Sequence, residues 1–86
     1  MIKYVYTTKN KKSGNFNQPM LQDFPKDNAV EVYTISAQEA DIEAVKELEV
    51  YYLGEFDTKT GVFSSSVEFL LDLGSVIHGT TTDKES

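Results

Sequence analysis

The sequence has no cysteine, no arginine and no tryptophan, and its one histidine is His78. The missing cysteine excludes disulfides and thiolate metal sites. The missing arginine excludes the planar, bidentate contact with phosphate, so lysine alone can supply a permanent positive charge. Because His78 has no second histidine or cysteine beside it, a solvent-exposed imidazole is a better interpretation than a metal ligand or a catalytic base.

No motif of a nucleotide-binding or hydrolytic enzyme occurs. The chain lacks a Walker loop, a G-x-G-x-x-G fingerprint and a nucleophile elbow. The serine run 64–66 has no histidine in a suitable relation to it. Glu55 and Asp57 lie beside a turn, where aspartate commonly accepts hydrogen bonds from the following backbone. We therefore predict a non-enzymatic protein without a metal or another cofactor.

Long hydrophobic runs are also absent. No segment approaches the roughly 20 apolar residues that span a bilayer, and no signal-peptide pattern opens the chain. We expect a soluble, intracellular protein. A chain of 86 residues forms one small domain, which buries only roughly 60–65% of its unfolded surface. We predict a single domain over residues 1–78 and a flexible tail over residues 79–86, which has no apolar anchor.

The charges are distributed unevenly along the chain. Residues 1–22 contain four lysines and no acidic residue, a balance of +4. Residues 23–86 contain four lysines and all fourteen acidic residues, a balance of −10. Such asymmetry indicates an interaction surface more strongly than the net charge of −6 does.

Two hairpins are predicted from strand and turn signals. The first covers residues 2–23, and its turn contains Gly14, which can adopt the positive φ of a tight return. Pro19 cannot donate to a strand ladder, so the returning strand belongs at a sheet edge. The second hairpin covers residues 49–66, with Gly61 in the left-handed position of its turn.

One main helix is predicted after a capping box. Ser36 and Glu39 form an S-x-x-E pattern, and the apolar spacing that follows predicts a helix near residues 37–48. A short terminal helix is predicted over residues 66–74, and the β-branched segment 29–35 favours a strand. The predicted fold class is α+β: a small antiparallel sheet from two hairpins, with one main covering helix.

The lysine-rich first hairpin has two interpretations. Its lysines can contact the phosphates of single-stranded nucleic acid while an aromatic ring stacks on a base, which contributes roughly 1–3 kcal/mol. Alternatively, the tyrosines are core residues and the lysines form a solvated turn that opposes edge-to-edge aggregation. The candidate nucleic-acid-binding residues are Lys3, Lys9, Lys11, Lys12, Tyr4, Tyr6 and Phe16.

Two motifs resemble the small nonstructural protein of the gokushoviruses, which are microvirus-type phages with single-stranded DNA genomes. The motifs are "YVYTTKNKKSGNFNQP" at residues 4–19 and "VYYLGEFDTKTG" at residues 50–61, about a third of the chain. The positions that match the family pattern are Lys11, Lys12, Phe16, Gln18, Pro19, Tyr51, Tyr52, Gly54, Glu55, Phe56, Asp57 and Gly61. The segment between the motifs departs from the family pattern, which has an arginine there.

The resemblance implies a phage nonstructural protein that acts in viral genome replication in the host bacterial cytoplasm and contacts single-stranded DNA. It also hints at a helix for residues 29–35, so strand and helix both stay open there. The alternative function is a protein-interaction module that binds the phage replication initiator, the capsid precursor or a host replication factor without DNA contact. A homodimer is compatible with either function, and no membrane is expected to be involved.

Overall fold

The computed structural model describes residues 1–76, so His78 and the predicted tail lie outside the described residues. A four-stranded antiparallel sheet has the order β2-β1-β3-β4. The elements in chain order are β1 (Ile2–Asn10), β2 (Met20–Gln22), α1 (Lys26–Glu39), α2 (Ile42–Val45), β3 (Leu48–Asp57) and β4 (Phe63–Asp72). The predicted α+β class is confirmed.

The turn of the β1–β2 hairpin and the turn of the β3–β4 hairpin are built alike. Each begins with an Asn or Asp whose backbone carbonyl accepts a 2.8 Å hydrogen bond from a glycine four positions later: Asn10 from Gly14, and Asp57 from Gly61. The Oδ1 atom of the same residue also accepts a bond from the backbone two positions on. Both glycines have φ of +77°, which confirms their predicted role in the turns.

The main helix precedes the predicted one. α1 begins after Pro25, whose φ of −75° suits the start of a helix. It ends at Glu39, so Ser36 and Glu39 lie in its last turn and do not cap its start. The prediction of a main helix near residues 37–48 is therefore wrong, and residues 29–35 are helical.

Burial against the sheet explains why the β-branched segment forms a helix. Ala29, Tyr33 and Ala37 are four residues apart and lie on one side of α1, where they pack into the core. Ile35 lies on the outer side and is exposed. The tertiary contacts of the inner side outweigh the strand preference of the β-branched residues, because most helical stability in proteins comes from packing.

The second hairpin is longer than predicted. β4 continues to Asp72, and only residues 73–76 after it are helical, so the predicted helix over residues 66–74 is wrong. Pairing with β3 places Leu71 opposite Val50, and both side chains are buried. Strand pairing therefore buries an apolar pair at this position.

The core lies between α1 and one face of the sheet. Its two clusters of buried residues are Tyr6, Ala29 and Tyr52, and Ala37, Val50, Leu71 and Leu73. Tyr33 of α1 packs against both clusters and so connects them. One face of the sheet is therefore covered.

Candidate nucleic-acid interface

The other face of the sheet is covered by neither α1 nor α2. The register pairs Tyr6 with Tyr52 and Thr7 with Tyr51. Tyr52 lies in the core with 6% of its surface exposed. Because successive side chains of a strand point to opposite faces, Tyr51 lies on the face away from α1. We call this face the open face.

Three aromatic rings form a row on the open face. Tyr51 lies between Phe16 and Phe69, with ring centroids 5.1 Å and 5.6 Å away and interplanar angles of 77° and 74°. This edge-to-face geometry is a favourable arrangement of aromatic pairs. Phe16 and Phe69 are each 50% exposed. The three rings are called the open-face row.

Lys9 extends the open-face row with a positive charge. The backbone of Phe16 forms an antiparallel β-bridge with Lys9 of β1. The Lys9 Nζ atom is 5.4 Å from the centroid of the Phe16 ring and 5.9 Å from the centroid of the Tyr51 ring. Both distances are within the range of a cation–π contact. Lys9 makes no ion pair with any residue between 1 and 76. Its ammonium is therefore available to an anion that approaches the row.

The other three candidate lysines lie in different surroundings. Lys3 pairs with Asp23, and Lys11 pairs with Asp72 at 3.0 Å. Lys12 is exposed in the first turn and has no acidic partner in the described part of the chain. The four N-terminal lysines thus do not form one uncompensated patch, because acidic residues neutralise two of them.

The pKa values of Lys11 and Asp72 reflect their contact. The side-chain hydrogen bond to Asp72 raises the pKa of Lys11. Burial acts to raise the pKa of Asp72, but hydrogen bonds from Lys11 and from the backbone of Ser75 and Gly74 outweigh it, so the pKa is lowered. Both shifts favour the charged pair. The Lys11 ammonium is therefore engaged in an ion pair within the protein.

Tyr4 and Tyr6 lie on the covered face. The Tyr6 side chain is fully buried, stacks on Phe24 with centroids 5.2 Å apart, and donates a 2.8 Å hydrogen bond to the Phe24 carbonyl. Burial raises the pKa of Tyr6 to about 12. Tyr4 is half-buried and packs against the same cluster. The structure corrects the candidate set at these positions, because neither tyrosine ring is on the open face. Of the three aromatic candidates, Phe16 alone lies there.

Sequence reasoning missed two rings of the open-face row. Tyr51 stands next to Tyr52, and strand alternation alone requires one of them on each face, but only the register shows which one is covered. Phe69 fell in the predicted helix over residues 66–74, so its place opposite Tyr51 could not be expected. The rings converge through strand pairing and not through proximity in sequence.

Among residues 1–76, no group of three or more acidic or histidine side chains could hold a metal ion, and no helix is long and apolar enough to cross a bilayer. Asp57 stabilises the turn that follows it, as its position predicted: its Oδ1 atom accepts a 2.8 Å hydrogen bond from the backbone N–H of Lys59.

No protein-family model, curated protein or solved structure matches the chain. The gokushovirus resemblance stays a prediction.

Proposed function

We propose that the protein binds single-stranded DNA through the open-face row and does not catalyse a reaction. The observation that supports this proposal is the half-exposed pair of rings, Phe16 and Phe69, on either side of Tyr51. The Lys9 ammonium lies over the Phe16 and Tyr51 rings. Exposed aromatic rings stack on bases of any sequence and contribute about 1–3 kcal/mol per base. A neighbouring lysine can neutralise a phosphate.

A single strand suits such a row better than a duplex, because the faces of its bases are free to stack on side chains. In a duplex those faces are stacked on one another, and a protein reads base edges from the grooves. We infer that the strand is DNA, and that the protein acts in replication of a phage genome in the bacterial cytoplasm, from the resemblance of residues 4–19 and 50–61 to the gokushovirus protein.

The ion pairs reduce the expected electrostatic contribution. Lys9 and Lys12 lack acidic partners among the described residues, whereas Lys3 and Lys11 have them. Two neutralised phosphates give a slope of log affinity against log salt of about −1.4 for a single strand, compared with about −2 to −3 for three or four. The slope therefore reports how many lysines leave their acidic partners on binding.

The test is fluorescence anisotropy of a labelled single-stranded oligonucleotide across a salt series, with a duplex of the same sequence as control. We expect single-strand binding with the shallower slope. Phe16→Ala and Phe69→Ala should each weaken binding about 5- to 150-fold, since each removes one stacking surface. Lys9→Met should weaken binding and flatten the slope by about 0.7.

Two matched variants control for general surface effects. Ile35→Ala removes an apolar side chain that is also 50% exposed but lies on the outer side of α1. Lys59→Met removes a lysine from the turn of the other hairpin. Neither should change the affinity. Equal binding to the duplex, or an unchanged affinity after removal of Phe16 and Phe69, would contradict the proposed site.

A protein-interaction module is the second candidate function. It is favoured by the outer side of α1, where the apolar residues Val32 and Ile35, three positions apart, are exposed. If this side binds the phage replication initiator, Ile35→Asp should abolish binding to the purified initiator, measured by calorimetry. Phe16→Ala should leave that binding intact. The opposite pattern, or no binding of the initiator, would exclude this use of α1.

A further inference from the structure

The two edges of the sheet are protected to very different degrees. The edge strand β2 is only three residues long, and Pro19 stands directly before it. A very short strand and a proline both prevent pairing with another chain. The other edge strand, β4, has ten residues, and residues 63–69 are all exposed. It contains neither proline nor lysine.

The exposed part of β4 is also nearly free of charge. Residues 62–67 read "VFSSSV", and the one charged residue among 63–69 is Glu68, which pairs with Lys26 at 3.0 Å. An edge strand has a row of backbone N–H and C=O groups directed away from the sheet, and these groups are a template for another strand. Identical uncharged segments can approach each other without like-charge repulsion.

We propose that two copies of this chain associate by antiparallel pairing of their β4 strands. A two-fold axis perpendicular to the sheet generates such a pair, so each copy presents the same surface to the other. The four-stranded sheet of each copy would then continue into one sheet of eight strands. This inference rests on the edge itself and does not depend on DNA binding.

The side chains favour a register centred on Ser66. In this register Phe63 lies opposite the second copy's Phe69, and this aromatic pair occurs twice. Glu68 lies opposite the second copy's Ser64, so the two glutamates do not face each other. Aromatic cross-strand pairs stabilise a sheet, whereas like charges directly opposite destabilise it. The axis also places both open faces on the same side of the joined sheet.

A cysteine cross-link tests the edge and its register together. The chain has no cysteine, so Ser66→Cys introduces a single thiol. At the two-fold axis the two Cβ atoms lie about 4.5–5.5 Å apart, close enough for a disulfide after small adjustment. Ser13→Cys, in the exposed first turn, is the matched control. On oxidation we expect a covalent dimer of Ser66→Cys that greatly exceeds that of Ser13→Cys.

Sedimentation equilibrium over a concentration series gives the second measurement, without a cross-link. Wild type should show a concentration-dependent dimer, which Val67→Lys should abolish because a lysine on the edge opposes pairing. Val67 is 63% exposed, so its substitution should leave the circular dichroism spectrum unchanged. Ile35→Lys, on the outer side of α1, should dimerise like wild type.

Four results would overturn the proposal. The first is a wild-type monomer up to millimolar protein, and the second is a dimer that persists in Val67→Lys. The third is equal cross-linking of Ser66→Cys and Ser13→Cys. If Ile35→Lys alone abolished the dimer, association would occur through α1 and the β4 proposal would be wrong.

Discussion

The covered and open faces of the sheet contain similar aromatic contacts but differ in how far the rings are exposed to solvent. Tyr51 and Tyr52 are neighbours in sequence, and each ring contacts others at centroid distances of 5.1–5.6 Å. Tyr52 lies against Tyr6 beneath α1 and is 6% exposed. Tyr51 lies between Phe16 and Phe69, which both face solvent.

The comparison shows that ring packing alone does not identify a core. On the covered face, α1 removes the remaining apolar surface from water, which is the dominant favourable contribution to folding. On the open face, aromatic rings in similar contacts remain accessible to solvent. Exposed aromatic patches of this kind mark interaction sites, and this is why the open-face row supports a binding function.

Removal of the two neighbouring tyrosine rings should separate the faces most strongly. Tyr52→Ala should lower the free energy of unfolding by about 3–5 kcal/mol, because it leaves a cavity in the core. Tyr51→Ala should cost only about 1–3 kcal/mol, because it removes two aromatic pairs, yet it should weaken DNA binding. Urea unfolding and anisotropy measure the two effects. Equal losses of stability would show that the open-face row is part of the core.

The bulge in β3 sets which residues lie on which face, and Gly54 is central to it. Leu53 is an extra residue there, because β1 pairs Val5 with Gly54 and the next residue, Tyr6, with Tyr52. Gly54 has φ of +146°, and a Cβ atom on it would lie 2.1 Å from the Ser64 carbonyl oxygen. The positive φ and the close approach of the Ser64 carbonyl both require glycine at this position.

Gly54→Ala should therefore lower the unfolding free energy by about 1–3 kcal/mol from backbone strain, and more from the clash with Ser64. Gly61→Ala is the matched control, since its φ is also positive but nothing lies within 4 Å of an added Cβ atom. Urea midpoints should fall further for Gly54→Ala than for Gly61→Ala. Equal midpoints would mean that β4 moves away from the bulge without cost.

The smallest expected effect is that of the Tyr6 hydroxyl on the covered face. Tyr6→Phe removes the bond to the Phe24 carbonyl and should cost about 0.5–1.5 kcal/mol at neutral pH. Burial raises the pKa of Tyr6 from 10.0 to about 12, so its contribution is fully present below pH 10 and is lost as the pH rises toward 12.

Unfolding measured at a series of pH values tests this sign. Wild type should lose stability between pH 10 and about 12, and Tyr6→Phe should lose less over the same interval. Some loss should remain in the variant, because burial also raises the pKa values of Tyr33 and Tyr52. Parallel pH profiles for wild type and variant would show that the Tyr6 hydroxyl ionises as freely in the folded state as in the unfolded one.

Local signals in the sequence were sufficient for the turns and the fold class. The spacing of Asn10 and Gly14, and of Asp57 and Gly61, depends only on which residues tolerate positive φ and which side chains bond the nearby backbone. These preferences act over a few residues. The two hairpins and the α+β fold class could be predicted for this reason. For the hairpins, only the predicted length of the second hairpin was wrong.

The helix and the open-face row depended on contacts between distant residues. Residues 29–35 form a helix because Ala29 and Tyr33 pack against the sheet, a contact that local strand preference does not report. Phe16, Tyr51 and Phe69 meet because three separate segments pair in one register. A charge count cannot show that Asp23 and Asp72 neutralise two of the lysines. Side-chain preferences act locally, whereas exposure is a property of the assembled sheet.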